Sequence, residues 1–427
     1  VAQRPELTRI TDTDRDGKAD FFEVLTDEFG MSGNYHEFNF CAEPDKDGNI
    51  FFALGTGSSG NGIRRIVRGR FDERGRPGRM HASTPYRGWV MKYTPDGRTI
   101  PFAGGLRTPN GVGFDLAGRL YVTDNQGDWL GTSKLFHVEE GRFYGHAASL
   151  TWREGFTETP LEVGAERLHQ IRTRAAVLFP QGLMANSPTK PLCDTTEGKF
   201  GPFAGQLFVG EMNKSRIMRV LLEEVDGQMQ GACLPFIDGS RLSSGNNRMA
   251  FDRDGNLWVG HTRHSWAGSH GIQKIVWDGK MPMDILTMNL TEKGFRLTFT
   301  KPVGEAAAHP EAYTFQRYWY QYHQSYGSRQ YDVVPVGVNA AKLSADGLTV
   351  DLDLDELKAW HVHELKLNGI VGRDGSTLAN SLIVYTVNRL LANTPPEPKQ
   401  WSGSAKKARS SRKNTSRRTE KIRKDAT

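Results

Sequence analysis

Short stretches in which apolar and polar residues alternate run through most of the chain, and this alternation predicts half-buried β-strands. Three stretches, beginning near residues 40, 112 and 249, share one skeleton. Each has an apolar strand, an Asp/Gly turn, and a second strand of alternating aromatic and aliphatic residues. Because propellers repeat a four-stranded blade, the recurrence predicts an all-β protein with a β-propeller, and a β-sandwich is the simpler alternative.

The predicted propeller covers residues 1–280. Its repeats supply roughly four blades, and residues 5–30 resemble the outer strands of an earlier blade, so we expect an N-terminally incomplete propeller. The segment 147–200 is the least regular. We expect a helix over residues 167–175 and a long loop beyond it, because Pro180, Pro188 and Pro191 interrupt the pattern.

The composition changes after Trp277, and strand-like alternation resumes at a different spacing. Residues 281–392 therefore predict an immunoglobulin-like β-sandwich. Residues 393–427 are rich in Pro, Lys, Arg and Ser and predict a disordered basic tail. That tail is either a solvated extension or a weak, non-specific partner for phosphate-rich molecules.

Charge and cysteine content exclude several classes of protein. The 427 residues carry a formal net charge of +6, but residues 397–427 hold eleven Lys/Arg against three Asp/Glu, which leaves the rest at about −2. The body is therefore not expected to bind nucleic acid specifically. The three cysteines show no disulfide or metal-ligand spacing, and no apolar stretch is long enough for a transmembrane segment.

A candidate calcium loop lies near the N-terminus. Asp12, Asp14, Asp16 and Glu23 match D-x-D-x-D-G-x5-E, with Lys18 positioned to supply a carbonyl. The flanking residues predict strands, so the loop would join a hairpin rather than two helices. A hairpin loop without metal is the alternative. The polar run Asp124–Asp128 is a second candidate, either a cation site or a hydrogen-bonded turn.

Several basic residues and one histidine lie next to predicted inner strands. Arg107, Lys214 and Arg248 would bind an anion if they converge, although each alone is better explained as a surface ion-pair partner. His36 precedes an inner strand and is either a proton acceptor or a histidine hydrogen-bonded within a turn. The same two interpretations apply to the remaining histidine candidates: His146, His261 and His264.

Ordered motifs over about residues 5–280 resemble the soluble PQQ-dependent glucose/sorbosone dehydrogenase propellers, and more closely the planctomycete-type "membrane-bound dehydrogenase" domain proteins. The motifs are His36 with Asp47-Gly-Asn-Ile-Phe-Phe-Ala, Arg107-Thr-Pro-Asn-Gly-Val-Gly-Phe, Asp124-Asn-Gln-Gly, Gly205-Gln-Leu-Phe-Val-Gly, and Asn247-Arg-Met-Ala-Phe-Asp. Thr108 replaces the family's Asn, and Gln126-Gly127 lacks its Pro.

The resemblance implies a six-bladed propeller in the full-length protein and a quinoprotein-like oxidoreductase that oxidises a sugar or polyol. It implies His36 as general base and carbonyls of Gln126 and Gly127 on a calcium ion. It further implies an electron acceptor such as a cytochrome and a periplasmic or extracellular location in a bacterium. The residues that would contact PQQ are Arg107, Asn110, Lys214 and Arg248.

Two other functions fit the same residues. The propeller could be a non-catalytic module that binds glycans or a protein partner. It could also hydrolyse or eliminate, with His36 acting beside a metal.

Overall fold

The computed structural model describes residues 1–61, 68–239, 241–263 and 268–400. These residues form antiparallel β-sheets and a single α-helix, α1 (Ala165–Ile171). The all-β prediction is therefore confirmed. His264 and residues 401–427 of the expected tail lie outside the described residues.

The chain begins with a separate hairpin, β1 (Leu7–Thr11) and β2 (Phe21–Thr26), which pair from Thr11 opposite Phe21 onward. The strands that we expected on either side of the candidate calcium loop are thus present. Four apolar side chains of the hairpin are exposed: Ile10, Phe21, Phe22 and Val24.

The first four-stranded sheet, called the first blade, has the order β3-β4-β7-β8. Between its second and third strands the chain leaves the sheet to form the small pair β5–β6. The bounds are β3 (Asn39–Pro44), β4 (Ile50–Leu54), β5 (Gly57–Ser58), β6 (Met80–His81), β7 (Trp89–Tyr93) and β8 (Thr99–Gly104).

Three further blades follow in chain order, and each begins at its inner strand. The second is β9 (Gly111–Phe114), β10 (Leu120–Asp124), β11 (Ser133–Val138) and β12 (Val177–Phe179); the third is β13 (Pro188–Cys193), β14 (Leu207–Glu211), β15 (Arg216–Val225) and β16 (Gln228–Asp238); the fourth is β17 (Asn246–Phe251), β18 (Leu257–His261) and β19 (Gly271–Ile275).

The prediction of a long loop after residue 175 is wrong, because β12 and the inner strand β13 lie there. The helix expected over 167–175 is α1, which begins earlier and ends at Ile171. Pro188 and Pro191 are tolerated in β13 because this strand is at the edge of its sheet and pairs only with β14. On the unpaired side of an edge strand, a proline nitrogen removes no ladder hydrogen bond.

Neighbouring inner strands approach each other closely at glycines. A Cβ added to Gly111 would lie 2.3 Å from Cα of Lys190, and one at Gly113 would lie 2.1 Å from the carbonyl oxygen of Pro191. Only residues without a side chain allow β9 and β13 to lie this close. The inner strands therefore gather around a common axis.

The C-terminal residues form a two-sheet sandwich that shares one sheet with the third blade. Strand β16 pairs with the last strand of the sandwich through Cys233 opposite Val384, which produces the eight-stranded order β13-β14-β15-β16-β27-β26-β22-β23. The second sheet has the order β20-β21-β25-β24. The bounds are β20 (Ile285–Leu290), β21 (Gly294–Phe299), β22 (Tyr313–Tyr320), β23 (Gln330–Val336), β24 (Val338–Leu343), β25 (Thr349–Leu354), β26 (His361–Leu367) and β27 (Leu382–Val387).

The sandwich and the third blade also share an apolar core and a buried ion pair. Leu234 of the blade belongs to the same cluster as Phe295 and Leu365 of the sandwich. Arg219 and Asp284 meet at 2.7 Å, with side chains 0% and 3% exposed. A buried pair of this kind tolerates little displacement, because separating the partners leaves an uncompensated charge. Among the described residues, no helix is long and apolar enough to cross a membrane.

Candidate functional site

The edge at which the inner strands begin, called the upper face, brings together most of the predicted site residues. Loops from every blade meet there. They are tied by hydrogen bonds such as that from Thr56 N–H to the carbonyl of Arg107, at 2.9 Å. Loops carried on a rigid sheet framework are where propellers place binding residues.

Two buried carboxylates organise this face from equivalent positions in successive blades. Asp124, which ends β10, accepts backbone N–H groups of Arg107 at 2.8 Å, Thr108 at 2.7 Å and Asn125 at 2.9 Å. Glu211 ends β14 and accepts backbone N–H groups of its own blade in the same way.

Burial raises the pKa of both carboxyls, and the N–H donors partly offset that effect. Asp124 therefore serves as a hydrogen-bonded turn anchor. Glu211 was not among the site residues predicted from the sequence, although an acidic residue ending the second strand of a blade is the signal that Asp124 and Glu211 share.

Arg107 is held in a buried polar cluster rather than extended into open space. Its Nε lies 3.2 Å from Asp128, and the Asp128 carboxylate contacts Nε2 of His146 at 3.1 Å. Burial alone would raise the pKa of Asp128, but His146 and Arg107 outweigh it and lower the value to about 2. The Asp128 carboxylate thus contacts both Arg107 and His146, and it compensates the charge of Arg107.

A loop of the sandwich lies directly over this cluster. Gly327 N–H donates to the carbonyl of Gly127 at 2.9 Å, and Trp129 N–H donates to the carbonyl of His323 at 3.1 Å. The guanidinium of Arg107 lies 5.4 Å from the ring centre of Tyr326. The backbone of Gln126 and Gly127 is therefore integrated between the second blade and the sandwich.

Arg248 and Asn110 meet at the inner edge, from the fourth and second blades respectively. Nη1 of Arg248 donates to the carbonyl of Asn110 at 3.1 Å and to the side-chain oxygen of Asn247 at 2.8 Å. Within the described part of the chain, Nε and Nη2 of Arg248 make no hydrogen bond or ion pair. The guanidinium is thus held at one nitrogen, and its other donors stay available.

Lys214 lies on the same face, in the turn between β14 and β15. Its backbone N–H donates to Glu211, and its ammonium donates to the carbonyl of Gly182. Arg107, Lys214 and Arg248 make no direct contact with one another in the portion that the structure describes. Lys214 and Arg248 keep unused donors, whereas the charge of Arg107 is neutralised by Asp128.

His36 is half-buried in the turn that leads into β3. Its backbone N–H donates to the side-chain oxygen of Asn34 at 3.0 Å, and its ring packs edge-on against Tyr35 with centroids 5.2 Å apart. Glu37, the next residue, is buried and accepts from Ser32 N–H at 2.6 Å. Hydrogen bonds therefore hold the turn, and it places His36 at the upper end of the first inner strand.

The candidate calcium loop brings Asp12, Asp14 and Asp16 together. One carboxylate oxygen from each lies within 4.8 Å of the others. Gly17 N–H donates to one oxygen of Asp12 at 2.8 Å, while the other oxygen is buried without a partner among the described atoms. Glu23 pairs instead with Arg9 across the hairpin. Three carboxylates around an unpartnered oxygen are suited to a hard cation.

The other histidines differ in burial. His146 is fully buried and belongs to the Arg107 cluster, while His261 is partly exposed at the end of β18. His81, which the sequence analysis did not single out, is fully buried. Burial and the nearby Arg76 lower its pKa to about 4, so this imidazole is neutral at physiological pH.

No protein-family model and no curated protein matches this chain. Among solved structures, it is similar to a putative oxidoreductase (glucose dehydrogenase) from Thermus thermophilus, with 16% identity, a TM-score of 0.37, and coverage of 60% of this chain and 68% of the other. A PQQ-bound aldose sugar dehydrogenase from Streptomyces coelicolor has 13% identity, a TM-score of 0.37, and coverage of 63% and 71%. The holo PQQ domain of a pyranose dehydrogenase from Coprinopsis cinerea has 14% identity, a TM-score of 0.36, and coverage of 60% and 74%.

Proposed function

We propose that this chain is a quinoprotein-like oxidoreductase that oxidises a hydroxyl of a sugar or polyol with PQQ. The observation that supports it is the Arg248–Asn110 contact on the upper face. A guanidinium held by one nitrogen presents its remaining N–H donors in a fixed direction, which suits a carboxylate ligand. PQQ carries carboxylates, so the chemistry of this donor set fits it.

In this proposal Arg248 and Lys214 hold the carboxylates, and Asn110 fixes the orientation of Arg248. The cofactor would supply the two-electron acceptor for the hydroxyl carbon. His36 takes the proton from the substrate hydroxyl at one ring nitrogen. The electrons would then pass to an external acceptor such as a cytochrome. The proposed location of the protein is periplasmic or extracellular.

A calcium ion does not fit at Gln126 and Gly127. A Cβ on Gly127 would lie only 2.0 Å from Nε of Arg107, so the guanidinium packs directly against this backbone. The carbonyl of Gly127 is already an acceptor for Gly327. A divalent cation here would meet a buried positive charge. The calcium site that we propose is the Asp12 loop.

The test is titration of the purified chain with PQQ, followed by dye reduction with a panel of sugars and polyols. We expect saturable PQQ binding that weakens at least about tenfold in Arg248→Met, because a charge-assisted contact is lost. Arg296→Met is the matched control, because Arg296 is exposed in the sandwich. His36→Ala should retain PQQ binding and lose turnover. Absence of both PQQ binding and dye reduction would exclude the oxidoreductase.

The second candidate is a non-catalytic module that binds a glycan or a protein. The observation that favours it is the engagement of Arg107 with Asp128 under Tyr326, which removes one of the three predicted cofactor cations from the open face. The same titration separates the two functions. Binding to an immobilised glycan or a partner protein, without PQQ binding or dye reduction, would identify the chain as a non-catalytic binding module.

A further inference from the structure

A small, partly open cavity of about 60 Å³ lies where the second blade meets the sandwich. This volume has room for a few water molecules or one small ion, and none for a sugar ring. Its walls come from three parts of the chain. They include Lys134 of β11, Arg172 and Arg174 beyond α1, Tyr322 and Trp360 of the sandwich, and Glu397 near the end of the described chain.

Lys134 is a buried cation without a counter-ion in contact. Its residue is 5% exposed, and its ammonium makes no hydrogen bond or ion pair within the described residues. Asp124 lies opposite it on β10, but both oxygens of that carboxylate accept backbone N–H groups of Arg107, Thr108 and Asn125. Asp124 therefore offsets the Lys134 charge only from a distance, and burial of an ammonium without a directly hydrogen-bonded counter-ion is unfavourable.

Arg172 adds a second positive charge that no described carboxylate contacts. Its Nε and Nη2 lie 3.4 and 3.3 Å from Nδ1 of His169, and its guanidinium stacks 4.5 Å from the ring centre of Tyr322. Arg174 is different, because it pairs with Glu397. Glu397 is the one acidic residue among the described residues that line the cavity, so the walls carry an excess of positive charge.

We infer that this cavity binds an inorganic oxyanion, phosphate or sulfate, between Lys134 and Arg172. The anion supplies a negative charge in direct contact with the two cations, which no described carboxylate does, and its oxygens accept from the ammonium and the guanidinium. The site is distinct from the upper-face residues assigned to PQQ. Anion binding here can therefore be tested independently of the proposed oxidoreductase function.

The electrostatics of Lys134 agree with this assignment. Burial lowers the pKa of Lys134 to about 7, Asp124 partly offsets that shift, and the like charges of Arg172 and Arg107 add to it. An anion in the cavity would reverse the effect of those like charges and keep the ammonium protonated.

The segment with Glu397 closes the cavity. Gln400 accepts from Tyr322 N–H at 2.7 Å, and the carbonyl of Pro395 accepts from Trp360 Nε1 at 2.9 Å. Glu397 thereby brings a carboxylate next to the cations. It is expected to compete with an incoming anion, so its charge sets the affinity.

The experiment is isothermal titration of the full chain with phosphate and, separately, sulfate at constant ionic strength, with chloride as the balancing ion. We expect one saturable site in wild type and loss of at least about tenfold in affinity in Lys134→Met. Lys342→Met is the control, because Lys342 is an exposed residue of the sandwich. Glu397→Gln should bind more tightly.

Unfolding curves of the same variants show whether a loss of affinity results from misfolding. Lys134→Met should still unfold cooperatively without added anion, because the Asp124 carboxylate keeps its backbone N–H donors from Arg107, Thr108 and Asn125. Saturable binding by one anion and not the other identifies the anion. No saturable heat in wild type, or equal affinity in Lys134→Met and Lys342→Met, overturns the inference.

Discussion

Lys190 on β13 reaches past β9 to Glu43 on β3, and the ammonium lies 2.6 Å from the carboxylate. The two residues belong to the inner strands of the third and first blades, with the second blade between them. The ion pair is largely buried, with side chains 15% and 21% exposed. It therefore joins blades that are not adjacent in the chain and crosses the region around the propeller axis.

Removing one partner of this pair should destabilise the protein. Glu43→Gln leaves the Lys190 charge without a counter-ion, so we expect a loss of about 2 kcal/mol in the free energy of unfolding. The measurement is urea denaturation. Glu139→Gln is the control, because its pair with Arg142 is exposed and should contribute less than about 0.5 kcal/mol. An equal loss in both variants would contradict the prediction.

Gly111 makes room for the same crossing. Gly111→Ala would place a Cβ 2.3 Å from Cα of Lys190, and backbone must move to relieve that contact. We expect a loss of about 3 kcal/mol in unfolding free energy. Gly260→Ala is the matched strand control, since its Cβ would meet nothing closer than 3.6 Å. Similar unfolding midpoints for the two variants would show that β9 and β13 are not packed this closely.

The Arg107–Asp128–His146 cluster should make stability depend on pH. The folded-state pKa of Asp128 is lowered from 3.8 to about 2, so its stabilising contribution is present above the unfolded value and is lost as pH falls toward 2. A shift of this size corresponds to about 2 kcal/mol.

The measurement compares wild type with Asp128→Asn. At pH 6 the variant should be less stable by about 2 kcal/mol, and the difference should shrink between pH 4 and pH 2, by the linkage between protonation and folding. Asp226→Asn, at an exposed turn, should show no such pH-dependent difference. A difference that stays constant with pH would assign the effect to packing instead.

The Asp12 loop should respond to calcium. We expect calcium to raise the melting temperature and a chelator to lower it, because ligand binding to the native state stabilises it. Asp14→Asn should abolish the calcium response. Asp254→Asn, in the related turn that lacks a third carboxylate, should leave it intact. A response that survives Asp14→Asn would place the metal elsewhere.

Much of the blade architecture was predictable from the sequence because it is local. Val112–Phe114 and Leu120–Thr123 alternate around an Asp/Gly turn, and they form the hairpin β9–β10. The same holds for β17–β18 and for the strands flanking the Asp12 loop. The inner strand β13 escaped prediction, because its prolines are tolerated only at a sheet edge and the sequence does not reveal that position.

The candidate site was predictable only in part. The sequence placed Arg107, Lys214 and Arg248 next to inner strands, and all three lie on the upper face. It did not reveal that Arg107 is neutralised by Asp128 and His146 while Arg248 keeps unused donors. Partners of a long side chain come from distant segments, and no local pattern records them.

Alternation of side chains and the positions of turns are properties of neighbouring residues, so the sequence by itself determined the repeated hairpins and the Asp12 carboxylate loop. The tertiary structure alone decided which charges are compensated. It left Lys134 without a contacting counter-ion, joined Lys190 to Glu43, and merged the third blade with the sandwich. The physical reason is that the free energy of a charge depends on burial and on partners brought together by folding.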